Sequence, residues 1–148
     1  MDAALEQARL ALAAGEVPIG AVLVIDDEIV ARAFNQPISS CDPTAHAEVL
    51  VVREAARVVG NYRLTAADVY VTLEPCLMCV GAALHARVER LVFGCADPKG
   101  GAAGSLYDAT DDPRLNHRIT VVSGVEEAAC RALLQQFFRA RRKSRATR

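Results

Sequence analysis

Two short clusters of the sequence contain side chains that bind metal ions and move protons. Residues 46–48 read His-Ala-Glu, and residues 75–79 read Pro-Cys-Leu-Met-Cys. One imidazole and two thiolates supply three ligands of a tetrahedral zinc ion, and a catalytic zinc keeps the fourth position for water. Glu48 could take a proton from that water and deliver it to a leaving amine. The clusters therefore predict a catalytic zinc site with His46, Cys76 and Cys79 as ligands.

Other residues could instead close the coordination shell and make the zinc site structural. The sequence offers five of them: Cys41, His85, Cys95, His117 and Cys130. None lies in a second pair with ligand spacing, so we expect the open, catalytic form. An isolated Cys-x-x-Cys can also be redox-active, but the His-x-Glu pair argues against that use. We expect the three remaining cysteines to be small buried side chains and the two histidines to be exposed or hydrogen-bonded.

Both clusters lie where the sequence predicts the start of a helix. One helix is expected from about residue 45 to 58, with Thr44 or Asp42 as its N-cap. The other runs through about residue 85, with Pro75 in its first turn. A strand at 68–74 lies between them, so the chain can return and bring both helix starts together. A helix N-terminus also lowers the pKa of a thiol, which favours the thiolates that bind metal.

The rest of the chain alternates between helical and strand patterns. We expect a helix at 2–14, a hairpin of strands 19–25 and 29–34, and a loop at 35–44. Short strands at 91–94 and 119–122 flank a glycine-rich loop at 95–116. A final amphipathic helix places five side chains on one face: Val125, Ala129, Ala132, Leu133 and Phe137. This order predicts an α/β fold with a mixed five-stranded sheet and helices on both faces.

Composition favours one globular domain over residues 1–148. The chain is 52% hydrophobic with a net charge of −1, which excludes disordered and collagen-like classes. No apolar run approaches the roughly 18 residues that a membrane span needs. The first residues lack the basic and apolar regions of a secretory signal, so we expect a cytoplasmic protein.

Residues 139–148 form a basic end on an otherwise acidic chain. They contain six Arg or Lys residues and no acidic one. Such an end suits a polyanionic partner. Cations also suit a solvated helix C-terminus, and composition alone leaves both interpretations open.

Beyond the zinc motif, the chain resembles the bacterial tRNA-specific adenosine deaminases over nearly its whole length. The zinc motif itself is the signature of zinc nucleobase deaminases. The similar segments are 16–22, 35–38, 42–48, 61–64, 70–76, 92–94, 101–105, 115–118 and 137–142. The last four are the more specific, because cytidine, guanine and riboflavin-pathway deaminases share only the metal motif. The resemblance implies a cytidine-deaminase-like three-layer α/β/α sandwich, a homodimer, and hydrolytic conversion of adenosine to inosine at the tRNA wobble position.

The resemblance also implies roles for individual residues. His46, Cys76 and Cys79 would hold zinc, and Glu48 would shuttle protons. Five residues would contact the substrate: Asn35 holding the flipped nucleoside, Ala47, Val17 and Leu73 lining the pocket, and Asp97 near the backbone of the target nucleotide. We assign the rest of the anticodon arm to Lys99, Phe138, Arg139, Arg141 and Arg142.

Several of these residues also have plain structural interpretations. Asn35 could cap a turn, Val17 and Leu73 could be core residues, and Asp97 could belong to a simple turn. One of the two adjacent aromatic residues, Phe137 and Phe138, is expected to pack inward. At the level of function, the alternatives are a zinc deaminase of free nucleobases or nucleosides and a catalytically silent RNA-binding subunit. The basic end argues against the first alternative, and an intact Glu48 argues against the second.

Overall fold

A mixed five-stranded sheet forms the middle layer of the computed structural model, which describes residues 1–146. Its strands are β1 (Gly20–Ile25), β2 (Glu28–Phe34), β3 (Asp68–Leu73), β4 (Arg90–Cys95) and β5 (Thr120–Val122). They lie in the order β2-β1-β3-β4-β5. β1 is antiparallel to both of its neighbours, whereas β3, β4 and β5 are parallel. The predicted hairpin is confirmed, and its turn residues Asp26 and Asp27 both have positive φ, as a tight hairpin turn requires.

Helices cover both faces of this sheet. They are α1 (Asp2–Ala13), α2 (Pro37–Ser40), α3 (Ala47–Val59), α4 (Leu77–His85) and α5 (Glu127–Ala146). α1 and α5 contact each other and pack on one face, whereas α3 packs on the other face and contacts α4. The predicted three-layer α/β/α sandwich is therefore confirmed. Over residues 1–146, no helix has the length and apolar character that crossing a membrane would require.

Two helix starts and one helix face differ from the sequence prediction. α3 begins at Ala47 rather than at 45, because the Asp42 carboxylate accepts from the N–H and hydroxyl groups of Thr44 and holds that segment in a turn. α4 begins at Leu77, so Pro75 precedes the helix and Cys76 occupies the N-cap position. On α5, Ala132 is exposed, so the predicted buried face was wrong at that residue.

The short helix α2 lies inside the segment that was predicted to be a loop. Pro37 begins it, which suits the fixed φ of proline. The buried Glu16 carboxylate accepts hydrogen bonds from the N–H groups of Ile38 and Ser39, at 3.2 and 2.6 Å. The Glu16 side chain, 22 residues away in sequence, therefore satisfies free N–H groups in the first turn of α2. A sequence window of a few residues does not contain this contact, so it could not predict the helix.

The strand directions bring distant residues to one edge of the sheet. The start of β1 lies beside the end of β2, with Gly20 opposite Phe34. β3 and β4 end together, with Leu73 beside Cys95. Five predicted site residues lie next to these strand ends: Val17 before β1, Asn35 after β2, Cys76 after β3, and Asp97 and Lys99 after β4.

Candidate metal centre and active-site cleft

His46, Cys76 and Cys79 lie together at the starts of α3 and α4. The Nδ1 atom of His46 is 3.7 Å from the Cys76 Sγ and 3.5 Å from the Cys79 Sγ. The two sulfur atoms are 3.6 Å apart. Within residues 1–146, this is the one group of three or more His, Cys, Asp or Glu side chains arranged closely enough to share a metal ion.

These separations fit a zinc ion. Tetrahedral bonds of about 2.3 Å to sulfur and about 2.0 Å to nitrogen place two sulfurs about 3.8 Å apart and a sulfur and a nitrogen about 3.5 Å apart. The observed distances agree with these values to within about 0.2 Å, the tolerance expected of a real site. Three protein ligands leave one position of the tetrahedron open, as in catalytic zinc sites. The cluster is thus a site for one zinc ion per chain.

The two thiols have opposite pKa shifts because they share a proton. The hydrogen bond between the two sulfur atoms lowers the pKa of Cys76 to about 4, and the neighbouring His46 acts in the same direction. That bond, together with burial, raises the pKa of Cys79. Because zinc binds thiolates, the buried Cys79 thiol must release its proton when a metal binds.

Glu48 lies in the first turn of α3 and is buried beside the metal ligands. Its Oε2 has no hydrogen-bond partner, and it is alone in this among the buried side-chain polar atoms of the described residues. Burial raises the pKa of Glu48 to about 7, and the neighbouring Cys76 adds to that shift. A carboxylate with an unused oxygen and a pKa near neutrality can accept a proton and return it.

Asn35 connects the end of β2 to the start of α3. Its side chain is only 4% exposed, and its Oδ1 accepts a hydrogen bond of 2.8 Å from the N–H of Ala47. This bond satisfies the first free donor of the helix that contains His46 and Glu48. No described residue accepts a hydrogen bond from its Nδ2, which leaves that donor for a ligand. Asn35 therefore caps a helix, as the structural interpretation allowed, but through a long-range contact.

A cleft of about 590 Å³ opens at the same edge of the sheet. Its lining includes six residues that were predicted as substrate or RNA contacts: Val17, Leu73, Asp97, Lys99, Phe138 and Arg142. Four further lining residues were missed: Ala96, Arg131, Leu134 and Gln135. Three of these lie on α5 at helical spacing from Phe138 and Arg142, and that spacing could have identified them. The structure thus gathers residues from four separate segments into one cleft.

The two adjacent phenylalanines of α5 point to different surroundings. Phe137 is 5% exposed and packs in the core, as expected for one of the pair. Phe138 is 46% exposed and lines the cleft. Their rings meet edge to face with centroids 5.3 Å apart. The buried residue therefore supports the exposed one, whose role as a stacking surface stays a prediction.

Arg139 and Arg141 do not line the cleft. Arg139 donates hydrogen bonds to the backbone oxygen and the Oε1 of Gln135, at 3.2 and 3.3 Å. The guanidinium of Arg141 lies over the ring of Phe137, 5.2 Å from its centroid. The basic end continues past α5 to residues 147–148, which lie outside the described residues.

The remaining cysteines and histidines take no part in the metal cluster. Cys95 and Cys130 are buried, as expected. Cys41 is exposed, which corrects the expectation, because it ends the short surface helix α2 in a left-handed conformation. The ring of His117 hydrogen-bonds through Nε2 to the backbone oxygen of Val88 at 2.7 Å, and His85 is exposed.

Comparison with known proteins agrees with this geometry. The family described as the cytidine and deoxycytidylate deaminase zinc-binding region matches residues 1–95. A tRNA-specific adenosine deaminase of Bacillus subtilis (strain 168) is 50% identical over 145 residues, 98% of this chain and 90% of that protein. The chain therefore belongs to the zinc-dependent cytidine and deoxycytidylate deaminase family. A Haemophilus influenzae relative with the same name is 49% identical over 146 residues, 98% of this chain and 84% of that protein.

A solved structure supports the family assignment over the whole fold. It comes from a study of A-to-I editing by tRNA:A34 deaminases at the wobble position of transfer RNA. The similarity covers 90% of this chain and 97% of that one, with 46% identity and a TM-score of 0.88. Members of the family are hydrolytic zinc enzymes, and the donor atoms of His46, Cys76 and Cys79 provide the metal site that this chemistry needs.

Proposed function

We propose that this chain catalyses the hydrolytic deamination of adenosine to inosine at the wobble position of tRNA anticodons. The observation that carries the proposal is the buried, unpartnered Glu48 oxygen beside a three-ligand zinc site. The chain is also about half identical, nearly end to end, to proteins named tRNA-specific adenosine deaminases.

The chemistry requires both protons of a water molecule to be moved. Zinc held by His46, Cys76 and Cys79 would lower the pKa of that water. Glu48 would accept the first proton at Oε2 as the water oxygen bonds to C6 of the purine, and would pass it to N1 of the ring. Glu48 would then carry the second proton from the new hydroxyl group to the exocyclic amino group, which leaves as ammonia when the carbon–nitrogen bond breaks. Because Glu48 is buried, its carboxyl group is held in place and kept from bulk water.

The target base must leave the RNA stack to reach Glu48. A wobble adenosine already lies in a loop, so flipping it costs less than extracting a base from a duplex. We assign the free Nδ2 donor of Asn35 to the flipped nucleoside, with Val17 and Leu73 packing beside it. Ala47 is fully buried, and its N–H already donates to Asn35. Ala47 therefore contributes through the helix start that Asn35 holds.

The cleft between β4 and α5 suits the nucleotides that flank the target base. We assign Asp97 to the backbone of the target nucleotide, and Lys99 and Arg142, which line the same cleft, to phosphates. Phe138 offers an exposed ring for a splayed base, since single-stranded RNA is bound largely by stacking on aromatic side chains. Arg139 and Arg141 lie outside the cleft, so we assign them to phosphates farther along the anticodon stem.

We further infer that the active unit is a homodimer in the cytoplasm, where tRNA is found. Large apolar side chains are exposed beside the metal centre, on the first turn of α4 and in the loop before β5: Leu77, Met78, Leu106, Tyr107 and Leu115. Leu77 and Leu115 also line a shallow cavity of about 410 Å³. Apolar surface grouped in this way is typical of a protein interface. We treat residues 1–148 as a single deaminase domain.

A direct assay separates this function from its alternatives. The zinc-loaded protein is incubated with a tRNA anticodon stem-loop containing a wobble adenosine, and in parallel with adenosine, cytidine and guanine. We expect inosine in the RNA and little conversion of the free compounds, because a small substrate lacks the phosphates and flanking bases that the cleft would bind. Preferred conversion of a free base would instead indicate a nucleobase deaminase. Binding of RNA without any conversion would indicate a silent subunit.

A further inference from the structure

The buried carboxylate of Glu74 is not used by the proposed chemistry. Glu74 follows β3, two residues before the metal ligand Cys76, and is 2% exposed. None of the salt bridges among the described residues includes it. A buried charge without a counter-ion is costly unless several hydrogen bonds satisfy it.

Four donors from one surface segment satisfy this carboxylate. Oε1 accepts from the N–H groups of Ala103 and Ser105, at 3.1 and 3.0 Å. Oε2 accepts from the N–H of Asp97 at 2.9 Å and from the Ser105 hydroxyl. Residues 97–105 thus wrap around a single side chain. Hydrogen bonds to an ionised acceptor are roughly twice as strong as neutral ones.

The segment also pairs with the backbone that leads into the metal site. The N–H of Ala102 donates to the oxygen of Pro75 at 2.8 Å, and Gly101 pairs with Cys76 as an isolated antiparallel bridge. The approach is so close that a methyl group on Gly101 would overlap the Glu74 carboxylate. Only glycine therefore allows this packing.

We propose that Glu74 is a positioning residue, which fixes the segment 97–105 so that Asp97 and Lys99 face the RNA in register with the metal centre. The segment has no strand or helix of its own to hold it, and both of those side chains line the cleft. Glu74 holds the backbone N–H of Asp97 directly. This role rests on the proposed function, because it assumes that the cleft binds the substrate RNA.

Glu74→Gln is the decisive perturbation because it keeps the shape of the side chain. Each carboxylate oxygen accepts two hydrogen bonds, so whichever way the amide lies, two of the four donors lose their acceptor. Asp112→Asn is the matched control. It removes one carboxylate charge from the long loop that Glu74 holds, but Asp112 accepts only from the backbone and guanidinium of Arg114. Gly101→Ala gives a second route, since it displaces the segment without changing Glu74.

The first measurement is amide hydrogen exchange of the zinc-loaded protein. Glu74→Gln should speed exchange in residues 96–106 and leave β3, β4 and the zinc content as in the parent. Gly101→Ala should do the same, and Asp112→Asn should not. Unchanged exchange in both test variants would overturn the proposal, and so would loss of zinc from Glu74→Gln, which would make Glu74 a support of the metal site.

The second measurement is a mutant cycle that combines Glu74→Gln with the paired change Asp97→Ala and Lys99→Ala, read as kcat/KM on the anticodon stem-loop. Misplacement of about 1 Å can cost as much as about 100-fold, so Glu74→Gln should lose up to that factor, mainly through KM. If Glu74 acts through Asp97 and Lys99, adding Glu74→Gln to the paired change should cause no further loss. Losses that multiply would overturn the positioning role. A parent protein that makes no inosine in RNA would refute the proposed function instead, and the exchange result would then decide alone whether Glu74 holds the segment.

Discussion

Asn35 has two functions that different substitutions can separate. Its Oδ1 caps α3 through the N–H of Ala47, and we assign its Nδ2 to the substrate. Asn35→Ala removes both groups. Asn35→Asp keeps an acceptor oxygen at the same position and removes only the donor. The N-terminus of α3 favours the added negative charge.

The expected magnitudes follow from burial. Asn35 and Ala47 are almost fully buried, so Asn35→Ala leaves an amide donor without partner or water. Such a loss costs about 1–3 kcal/mol of unfolding free energy, or about 2–12 °C in the melting temperature of a domain of this size. Asn35→Asp buries a carboxylate, whose cost is offset in part by the retained bond to Ala47 and by the N-terminus of α3, so it should lose less stability than Asn35→Ala. Both variants should lose activity, because neither retains the Nδ2 donor.

The assay combines thermal unfolding of zinc-loaded protein with kcat/KM on the anticodon stem-loop. Equal stability of Asn35→Ala and the parent would show that the bond to Ala47 does not hold the helix start. Parent-like activity of Asn35→Asp would remove the amide from substrate binding. The result that the structure predicts is an Asn35→Asp variant that is more stable than Asn35→Ala, with both variants inactive.

Three further expectations concern the metal, the assembly and the basic end. Elemental analysis should give one zinc per chain. Glu48→Ala should keep that zinc while losing about 10²–10⁴-fold or more of activity, because Glu48 moves protons and is not a ligand. Near-normal activity of this variant would exclude Glu48 from the mechanism. Sedimentation at micromolar concentration should give about twice 15.8 kDa, and Leu77→Arg should shift the protein toward the monomer; a fully active monomer would contradict the dimer. Neutralising Arg141, Arg142 and Lys143 together should raise the apparent KM for tRNA and flatten the salt dependence of that KM, because fewer counterions are released on binding. Parent-like binding at several salt concentrations would mean that other residues hold the RNA.

The metal centre and the order of the elements could be predicted because their signals are local. His46 is two residues from Glu48, and Cys76 is three residues from Cys79, so ligand type and spacing are visible in short windows. Two β-branched runs separated by a short charged turn at residues 26–28 likewise identified the hairpin of β1 and β2. The strand ends then had to meet at one edge, because a crossover between parallel strands returns the chain to the same side of the sheet.

The helix starts were predicted less well because distant side chains determine them. Thr44 looked like a local N-cap, but Asp42 holds it in a turn, and Asn35 satisfies the first turn of α3 instead. The first turn of α2 depends on Glu16 in the same way. Windows of a few residues contain no signal for such contacts, and a capping residue far away in sequence is invisible to them.

These long-range contacts have a common physical origin. The loops at the site edge have few regular partners for their backbone N–H groups, and a buried donor without a partner is costly. Glu16 and Glu74 each place a buried carboxylate where several such donors converge, and the buried Asn35 oxygen accepts from the first donor of α3. A polar side chain can do this without adding a strand or helix that would cover the cleft. The contacts that satisfy the backbone N–H groups of the loops therefore leave the cleft open. This explains why buried polar residues surround the site, although its metal ligands lie in two short motifs.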